Sequence, residues 1–347
     1  MGRFKGVEIK GLFFEDFYKI FESILIDIIK KSPDDIDKIK PKMPELLKSY
    51  EDSSLDLYIQ NHKFKLNEYL ESHFKIQKQI VKNNKLPFIY FNLYLNGCAI
   101  IYDKIIEKIP RKRIDKTLRI NILLYGLIIR KAYQINDLLT NGHIDAAMII
   151  WRSLYENAIT LLVLAIENNN ELADKFSEHS TRSSKRKILS YNNTHKQLKF
   201  KPLPKSTNRI IEEQVKELTS KYGKDFLENE FGWANDLFPQ KQKANLKLLE
   251  ERVNMERYRP YYILCSEQVH SNFNSLNIFL ENNKYVLPKI IEPEIESIAF
   301  VDPMQFTVSI LQEVIDYVLF EFSTETEYQL NLTLMRKILE QMISNFE

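Results

Sequence analysis

The sequence predicts an all-α protein, a helical bundle with an additional helical N-terminal region, and three observations lead to this class. Apolar residues recur every three or four positions along almost every long segment, as on the buried face of an amphipathic helix. No polar–apolar alternation of strand length occurs, and short extended pieces are expected only at residues 7–9 and 285–287. The chain has 8 glycines in 347 residues, against about 24 for an average composition. None lies in a glycine-rich phosphate-binding motif, which argues against a nucleotide-binding α/β fold.

The N-terminal region contains two predicted helices. Apolar residues mark one face of a helix over residues 13–28, and a charged, proline-punctuated linker follows at 33–44. The second helix, over residues 55–81, is polar with a thin apolar stripe. A break at Asn83–Pro87 then places the domain boundary: residues 1–85 form the N-terminal region, and residues 86–347 form the bundle.

From Phe88 onward the predicted helices are more apolar, and asparagine, glycine or proline residues separate many of them. A short aromatic piece around Trp233 interrupts the series. We expect the helices over 143–166 and 258–281 to pack together at the centre of the bundle. The predicted helices cover residues 88–109, 118–139, 143–166, 171–198, 210–222, 239–253, 258–281, 303–322 and 325–347.

Composition limits the partners and the compartment. The net charge is +2, so the whole molecule gives no electrostatic argument for nucleic acid or membrane. Cys98 and Cys265 are isolated in apolar runs, which predicts a reducing cytoplasm and no disulfide or cysteine zinc site. The six histidines lack metal-ligand spacing, and we expect no metal and no cofactor. Residues 144–166 resemble a membrane span, but two central charges predict a buried helix of a soluble protein.

Those two charges form the strongest candidate site. Between Ala146 and Ile166 the charged side chains are Arg152 and Glu156, four residues apart and therefore on one face of a helix. Apolar neighbours predict that both are buried, and a buried charge requires a partner. One interpretation is a structural ion pair that fixes helix register. The other is a polar pocket, in which Arg152 holds an anion and Glu156 orients it or moves a proton.

A second candidate is a polar stripe in which Tyr262, Ser266 and His270 recur every four residues beside an apolar stripe. His270 is either a hydrogen-bonded core residue or a proton-transfer group, because imidazole titrates near neutral pH. Tyr262 and Ser266 are candidate substrate-binding residues. Ser266 is not a candidate nucleophile, since no nucleophile-elbow motif surrounds it.

A third candidate is basic. Residues 175–205 contain nine lysines and arginines, including Lys185, Arg186 and Lys187, against the single acidic residue Glu178. Such a run is commonly a solvated helix face. The alternative is a surface that binds RNA phosphates, with Tyr191 and Phe200 as stacking groups.

Several short motifs, in order, resemble an uncharacterised family of bacterial all-α proteins. Its hallmarks are an Arg-Ser-hydrophobic-aromatic-Glu helix, present here as Arg152–Glu156, and a later Tyr-x-x-x-Ser-x-x-x-His helix, present as Tyr262–His270. The Tyr222-Gly223 and Phe231–Ala234 elements between them also fit. The resemblance covers residues 120–281.

That family is distantly similar to the HEPN superfamily of helical bundles. Many HEPN proteins are metal-independent ribonucleases in toxin–antitoxin and phage-defence systems, and their usual signature is an arginine followed by a histidine after four to six residues. No histidine in this sequence follows an arginine at that spacing. If the chemistry is shared, Arg and His must therefore meet from different helices.

The resemblance favours an RNA-targeting effector, a metal-independent endoribonuclease of toxin or phage-defence type. Arg152, Glu156 and His270 would be catalytic, and Lys185, Arg186 and Lys187 would attract RNA. A non-catalytic helical interaction protein, with a protein partner or a second copy, remains an alternative. So does a small-molecule sensor with a buried anion pocket. The alternatives differ in whether the three catalytic candidates meet in an open cleft or a sealed core.

Overall fold

The computed structural model describes residues 70–109, 114–238, 243–269, 297–322 and 324–345, with the single positions 23, 26 and 30. The chain divides into two compact units, residues 1–76 and 77–347. All described positions of the first unit are helical. The extended pieces predicted at 7–9 and 285–287, and most of the two predicted N-terminal helices, lie outside the described residues.

The second unit is helical, and no strand occurs in its described part, which confirms the all-α prediction. Residues 77–83 are helical, and 3₁₀ turns cover Gly232–Leu237, Glu256–Tyr258 and Ser297–Phe300. The α-helices are α1 (Lys85–Lys108), α2 (Lys116–Thr140), α3 (Ile144–Glu167), α4 (Asn170–Glu178), α5 (Ser180–Thr194), α6 (Lys205–Tyr222), α7 (Asp225–Glu228), α8 (Leu246–Arg252), α9 (Arg259–Glu267), α10 (Val301–Phe322) and α11 (Glu325–Ser344).

Three predicted helices are shorter than expected. The one predicted over 239–253 begins only at Leu246, because the Asn245 side chain accepts from the backbone N–H of Leu248 and caps the helix there. The segment 171–198 breaks at His179, whose Nε2 donates to the carbonyl oxygen of Asn229 at 3.0 Å. The helix predicted over 258–281 ends at Glu267, and residues 268 and 269 form a turn. Ser266 Oγ donates to the carbonyl oxygen of Tyr262 at 2.7 Å. This back-bond competes for an acceptor of the helical ladder in the last turn.

Helices α1, α2, α3, α10 and α11 form the core of the bundle. Neighbouring pairs pack along their length, most extensively α2 against α3, which a tight turn at Gly142 joins with φ of 75°. Buried tyrosines connect the layers: Tyr94 donates to Gln312 Oε1 at 2.9 Å, and Tyr125 donates to the carbonyl oxygen of Cys98 at 3.0 Å. The buried apolar side chains of these helices supply most of the hydrophobic stabilisation of the unit.

Helix α3 lies at the centre and also contacts α8, α9 and α10. Among the described helices it is the one long and apolar enough to cross a membrane by length and composition. Over half of that stretch, 56%, is buried against the rest of the unit. Burial of this kind is what a core helix of a bundle shows.

Helices α5 and α6 pair as a hairpin, with residues 195–204 connecting them. We call residues 180–222 the basic hairpin. Helix α5 buries no residue, and α6 buries Leu218. The main contacts of the hairpin with the rest of the unit are through α4 and α7. The hairpin is therefore an exposed attachment to the bundle rather than part of its core.

Candidate functional site

The site lies where α3 meets α9. In its first four turns α3 buries Ala147, Trp151, Leu154, Tyr155 and Ala158 on one face. The opposite face, which carries Arg152 and Glu156, is half-exposed. The structure thus corrects the expectation that apolar residues enclose the pair: the side chains of Arg152 and Glu156 are 26% and 38% exposed. Full enclosure of α3 begins one turn later, at Leu161.

Arg152, Glu156 and Tyr262 form a closed set of hydrogen bonds, which we call the Arg–Glu–Tyr cluster. Arg152 Nε donates to Glu156 Oε1 at 3.2 Å and to the Tyr262 hydroxyl at 3.0 Å. The Tyr262 hydroxyl donates to the same Glu156 oxygen at 2.6 Å. The guanidinium carbon also lies 5.0 Å from the centre of the Tyr262 ring. A cation–π contact therefore adds to the polar contacts that hold Arg152.

The terminal nitrogens of Arg152 take no part in the hydrogen bonds of the cluster. Within the described part of the chain, the hydrogen bonds of Arg152 use Nε, and Nη1 and Nη2 have no partner. Those two nitrogens present a planar fork of N–H donors, the geometry that suits a phosphate or carboxylate. Because Glu156 and Tyr262 fix the other end of the group, the fork has a defined direction. The cluster can therefore hold an anion at a half-exposed position.

The Tyr262 hydroxyl keeps its proton and acts as a hydrogen-bond donor in this arrangement. Burial, followed by the neighbouring Glu156 carboxylate, raises the pKa of Tyr262 to about 12, while Arg152 acts in the opposite direction. At neutral pH the hydroxyl is therefore protonated, as its donation to Glu156 requires. A phenolate in this position would lie 2.6 Å from a carboxylate oxygen without a proton between them.

Two other predicted site residues, Ser266 and His270, are not members of the Arg–Glu–Tyr cluster as the structure describes it. Ser266 is one turn beyond Tyr262, and its hydroxyl donates to the Tyr262 backbone rather than to the cluster. His270 lies outside the described residues, three positions after the end of α9. Its predicted role as a proton-transfer group stays a prediction.

Sequence reasoning missed Lys131 of α2, whose Nζ donates to Ser153 Oγ at 2.9 Å. Burial lowers the pKa of Lys131, and the nearby Glu156 carboxylate opposes this effect. Lys131 adds a second cation on this face of α3, where Glu156 is the neighbouring carboxylate. No local pattern in α2 indicates this role, because the contact joins two helices.

An ion pair with a buried carboxylate adjoins the cluster and was also missed. Arg259 Nε donates to Glu250 Oε2 at 2.7 Å, and the side chain of Glu250 is 0% exposed. The guanidinium carbon of Arg259 lies 5.6 Å from the centre of the Tyr262 ring, which thus has an arginine contact from α3 and another from α9. Glu250 is one member of the charged sequence Glu250-Glu251-Arg252, so the sequence alone does not indicate that Glu250 is buried.

Aromatic side chains fix α9 against α3. The rings of Trp151 and Tyr155 stack with centres 5.2 Å apart, and Tyr261 meets Trp151 edge-on at 4.5 Å. The Tyr155 hydroxyl donates to the carbonyl oxygen of Met255 at 3.0 Å. These buried contacts hold Tyr261 inside the bundle, and the next residue, Tyr262, consequently reaches Arg152.

The predicted RNA-attracting residues lie elsewhere, on α5. Lys185, Arg186 and Lys187 are exposed, and in the described part of the chain none of them forms an ion pair. Arg182, Arg186, Lys187 and Tyr191 line a shallow depression along this helix. The structure thus places the basic candidates on the basic hairpin, and Arg152, Glu156 and Tyr262 at the junction of α3 with α9.

Fold and site together define an all-α bundle protein with an Arg–Glu–Tyr cluster and an exposed basic hairpin. Residues 119–285 match the model of a family of unknown function, DUF5677. The matched range runs from α2 past α9 and includes the cluster and the hairpin. The resemblance to an uncharacterised family is thereby confirmed, and the similarity to HEPN proteins stays a prediction. No curated protein and no solved structure matches the chain.

Proposed function

We propose that the protein is a cytoplasmic RNA-targeting effector, a HEPN-like metal-independent ribonuclease of toxin or phage-defence type. The basic hairpin would bind RNA, and the Arg–Glu–Tyr cluster with His270 would cleave it. One observation carries the proposal. Between Glu178 and Glu212 the chain has nine lysines and arginines and no acidic residue. They lie in an element that is almost wholly exposed.

The arrangement of charge on α5 is unfavourable for the isolated helix. Arg182 lies in the first turn, where the helix dipole disfavours a cation. Arg182 and Arg186 are four residues apart, so their like charges repel across one turn. Each effect costs a few tenths of a kcal/mol or more. Neutralisation by the phosphates of a bound nucleic acid would reverse both.

The Arg–Glu–Tyr cluster supports the cleavage step. The Nη donors of Arg152, which take no part in the cluster, would bind the scissile phosphate and stabilise the charge that develops on its oxygens. The 2′-oxygen of the preceding ribose would bond to phosphorus as its proton passes to His270. The bond from phosphorus to the 5′-oxygen would break, and water would supply the proton to that oxygen. The products are a 2′,3′-cyclic phosphate and a 5′-hydroxyl.

One observation favours the alternative, a non-catalytic interaction protein or a sensor of a small anion. Glu156 accepts from both Arg152 and Tyr262, so the cluster is already neutral and hydrogen-bonded without any ligand. A structural ion pair has this property. In that case the basic hairpin would bind an acidic partner, and the cluster would serve only to join α3 to α9.

Binding is tested by fluorescence anisotropy of a labelled RNA oligonucleotide. Replacement of Lys185, Arg186 and Lys187 by glutamate should abolish binding while the fold remains intact, because exposed substitutions rarely destabilise much. A matched control replaces Lys85, Lys104 and Arg119 by glutamate, three exposed residues of α1 and α2 that change the net charge equally. Equal loss of affinity in both variants would show a general charge effect and contradict the proposed role of the hairpin.

Cleavage is tested separately, in the presence of a metal chelator. His270→Ala should retain RNA affinity and lose about 10²–10⁴-fold in cleavage rate, because a proton-transfer group contributes to rate rather than to binding. Expression of the same pair in bacteria, scored for growth and RNA integrity, checks the effector role. If wild type binds RNA without cleaving it, the cluster is structural and the catalytic part of the proposal fails.

A further inference from the structure

Three aromatic rings stack at the tip of the basic hairpin, which joins α5 to α6. The rings of Tyr191 and His195 are nearly parallel, 11° apart, with centres separated by 5.8 Å. The ring of Phe200 lies 17° from that of Tyr191, with centres separated by 6.4 Å. The four-residue spacing of Tyr191 and His195 brings both to one face of α5. Phe200 joins them only because the chain turns back in the connection to α6.

The tip holds these rings by hydrogen bonds to the backbone. The Tyr191 hydroxyl donates to the carbonyl oxygen of Lys201, and the backbone N–H of Phe200 donates to the carbonyl oxygen of His195, both at 2.8 Å. His195 Nδ1 approaches the carbonyl oxygens of Tyr191 and Asn192, so this nitrogen carries the ring proton. The stack is therefore organised before any ligand binds.

Lys199 adopts a backbone conformation that favours glycine. Its φ is 56°, in the left-handed region, and this turn directs the chain so that Phe200 meets Tyr191. A lysine in this conformation is less stable than a glycine would be. Strained residues of this kind cluster at ligand-binding sites, and here the strained position also carries a positive charge at the tip.

The outer ring of the stack is open to solvent. Phe200 is 57% exposed, although it belongs to a residue type that is usually buried. Lys199 and Lys201 flank it in the sequence and Lys196 lies four residues earlier; all three are exposed, and none forms an ion pair among the described residues. An exposed aromatic face among unpaired lysines combines the two features that bind single-stranded nucleic acid.

We infer that the tip of the basic hairpin stacks an unpaired base of single-stranded RNA on Phe200, while the surrounding lysines contact the adjacent phosphates. This inference rests on the proposed function and specifies its substrate. Bases in a duplex are stacked on each other and present only their edges, so a duplex offers no base face to Phe200. Recognition by the tip therefore selects single strands, loops or ends, with little preference for sequence.

The test compares single-stranded RNA with the duplex of the same sequence by anisotropy. Phe200→Ala should weaken single-strand binding about 10-fold, the scale of one stacked base, and leave duplex binding unchanged. The dependence on salt should not change, because no phosphate contact is lost. Leu198→Ala is the matched control, since Leu198 is equally exposed at 57% and has no aromatic ring.

A second variant reports the stack directly. Phe200→Trp keeps a stacking face, and its exposed indole should be quenched when single-stranded RNA binds, whereas the native Trp151 and Trp233 are buried. Full affinity in Phe200→Ala, or absence of quenching in Phe200→Trp, would overturn the inference while RNA binding by the hairpin stands. Failure of wild type to bind either form of RNA at low salt would instead overturn the proposed function.

Discussion

At the scale of single residues, Glu156 and Tyr262 hold the guanidinium group of Arg152 through Nε, and its Nη atoms have no partner among the described residues. The contacts that hold it are partly exposed, because both members of the ion pair reach solvent. Exposed pairs contribute little to stability, whereas loss of one member of a buried pair is expensive. The stability cost of breaking this pair is therefore a measure of how open the site is.

We expect Glu156→Ala to lower the free energy of unfolding by about 1 kcal/mol, because Arg152 keeps Tyr262 and gains water. Urea unfolding measures the change. Glu213→Ala is the control, since Glu213 forms an i,i+4 pair with Arg209 that is largely exposed, and its loss should cost about 0–0.5 kcal/mol. A loss of 3–5 kcal/mol for Glu156→Ala would show that the pair is desolvated, and that the cluster is closed to a ligand.

Glu250 supplies a pH-dependent prediction. Burial raises the pKa of the Glu250 carboxyl, although the Arg259 guanidinium opposes this. The folded protein therefore keeps the proton at a pH where the unfolded chain has released it. The contribution of Glu250 to stability is then fully present below the unfolded pKa and falls as pH rises through the folded pKa.

Glu250→Gln removes this titration and should lose less stability than wild type as pH rises from about 4, the ordinary carboxyl range. Urea unfolding at a series of pH values gives the difference. Glu251→Gln is the matched control, because Glu251 is exposed and adjacent, with a loose 3.7 Å pair to Lys247. Parallel curves for wild type and Glu250→Gln would contradict the raised pKa.

At the scale of elements, the basic hairpin depends on a close backbone approach at its base. A Cβ on Gly232 would lie 2.0 Å from the carbonyl oxygen of Phe226, which belongs to α7. Helix α7 contacts both helices of the hairpin. Position 232 therefore requires glycine. Any larger residue would have to displace the backbone of Phe226 rather than a flexible side chain.

Gly232→Ala should consequently cost about 3 kcal/mol, toward the upper end of overpacking effects. Thermal unfolding measures it. Gly97→Ala in α1 is the control: its Cβ would meet the flexible side chain of Met335, and alanine favours a helix by about 1 kcal/mol over glycine. We expect that variant to stay within about 1 kcal/mol of wild type. Similar melting for wild type and Gly232→Ala would show that the approach can relax without cost.

The sequence predicts these elements well where a helix is long and one-sided. Helix α1 was predicted as 88–109 and α2 as 118–139, and both differ from the structure by only a few residues at each end. The prediction was wrong where a tertiary contact ends or divides a helix. Such a contact occurs at His179, which bonds to a residue fifty positions away, and nothing in the local pattern of α4 and α5 marks it.

At the scale of the whole molecule, the net charge of +2 conceals a strong separation of charge. The stretch between Glu178 and Glu212, most of the hairpin, has nine lysines and arginines and no acidic residue, and acidic residues in the rest of the chain balance them. Composition alone therefore gave no electrostatic argument for an anionic partner. An electrostatic reason for an anionic partner becomes visible only when Lys185, Arg186 and Lys187 are seen together on the exposed face of α5, where none of them forms an ion pair among the described residues.

The sequence likewise predicts only some of the site residues, because the others are brought together by the packing of the helices. Arg152 and Glu156 stand out because they interrupt an apolar helix, and Tyr262 follows from four-residue spacing in the next polar stripe. Lys131 and Glu250 join the site from α2 and α8, and Arg259 joins it from the first turn of α9, through contacts between residues up to 22 positions apart in sequence. Their side chains are typical of solvated helix faces, so only the packing of the helices reveals them.

The most direct test of the account is the salt dependence of RNA binding by wild type and by the triple reversal Lys185→Glu, Arg186→Glu, Lys187→Glu. Each phosphate contact to a single strand contributes about 0.7 to the slope of log affinity against log salt concentration. We predict that wild type binds single-stranded RNA at low salt, and that the triple reversal lowers the magnitude of the slope by about 2 or more. Absence of binding by wild type at low salt, or equal slopes for the two proteins, would contradict the assignment of the basic hairpin as an RNA-binding element.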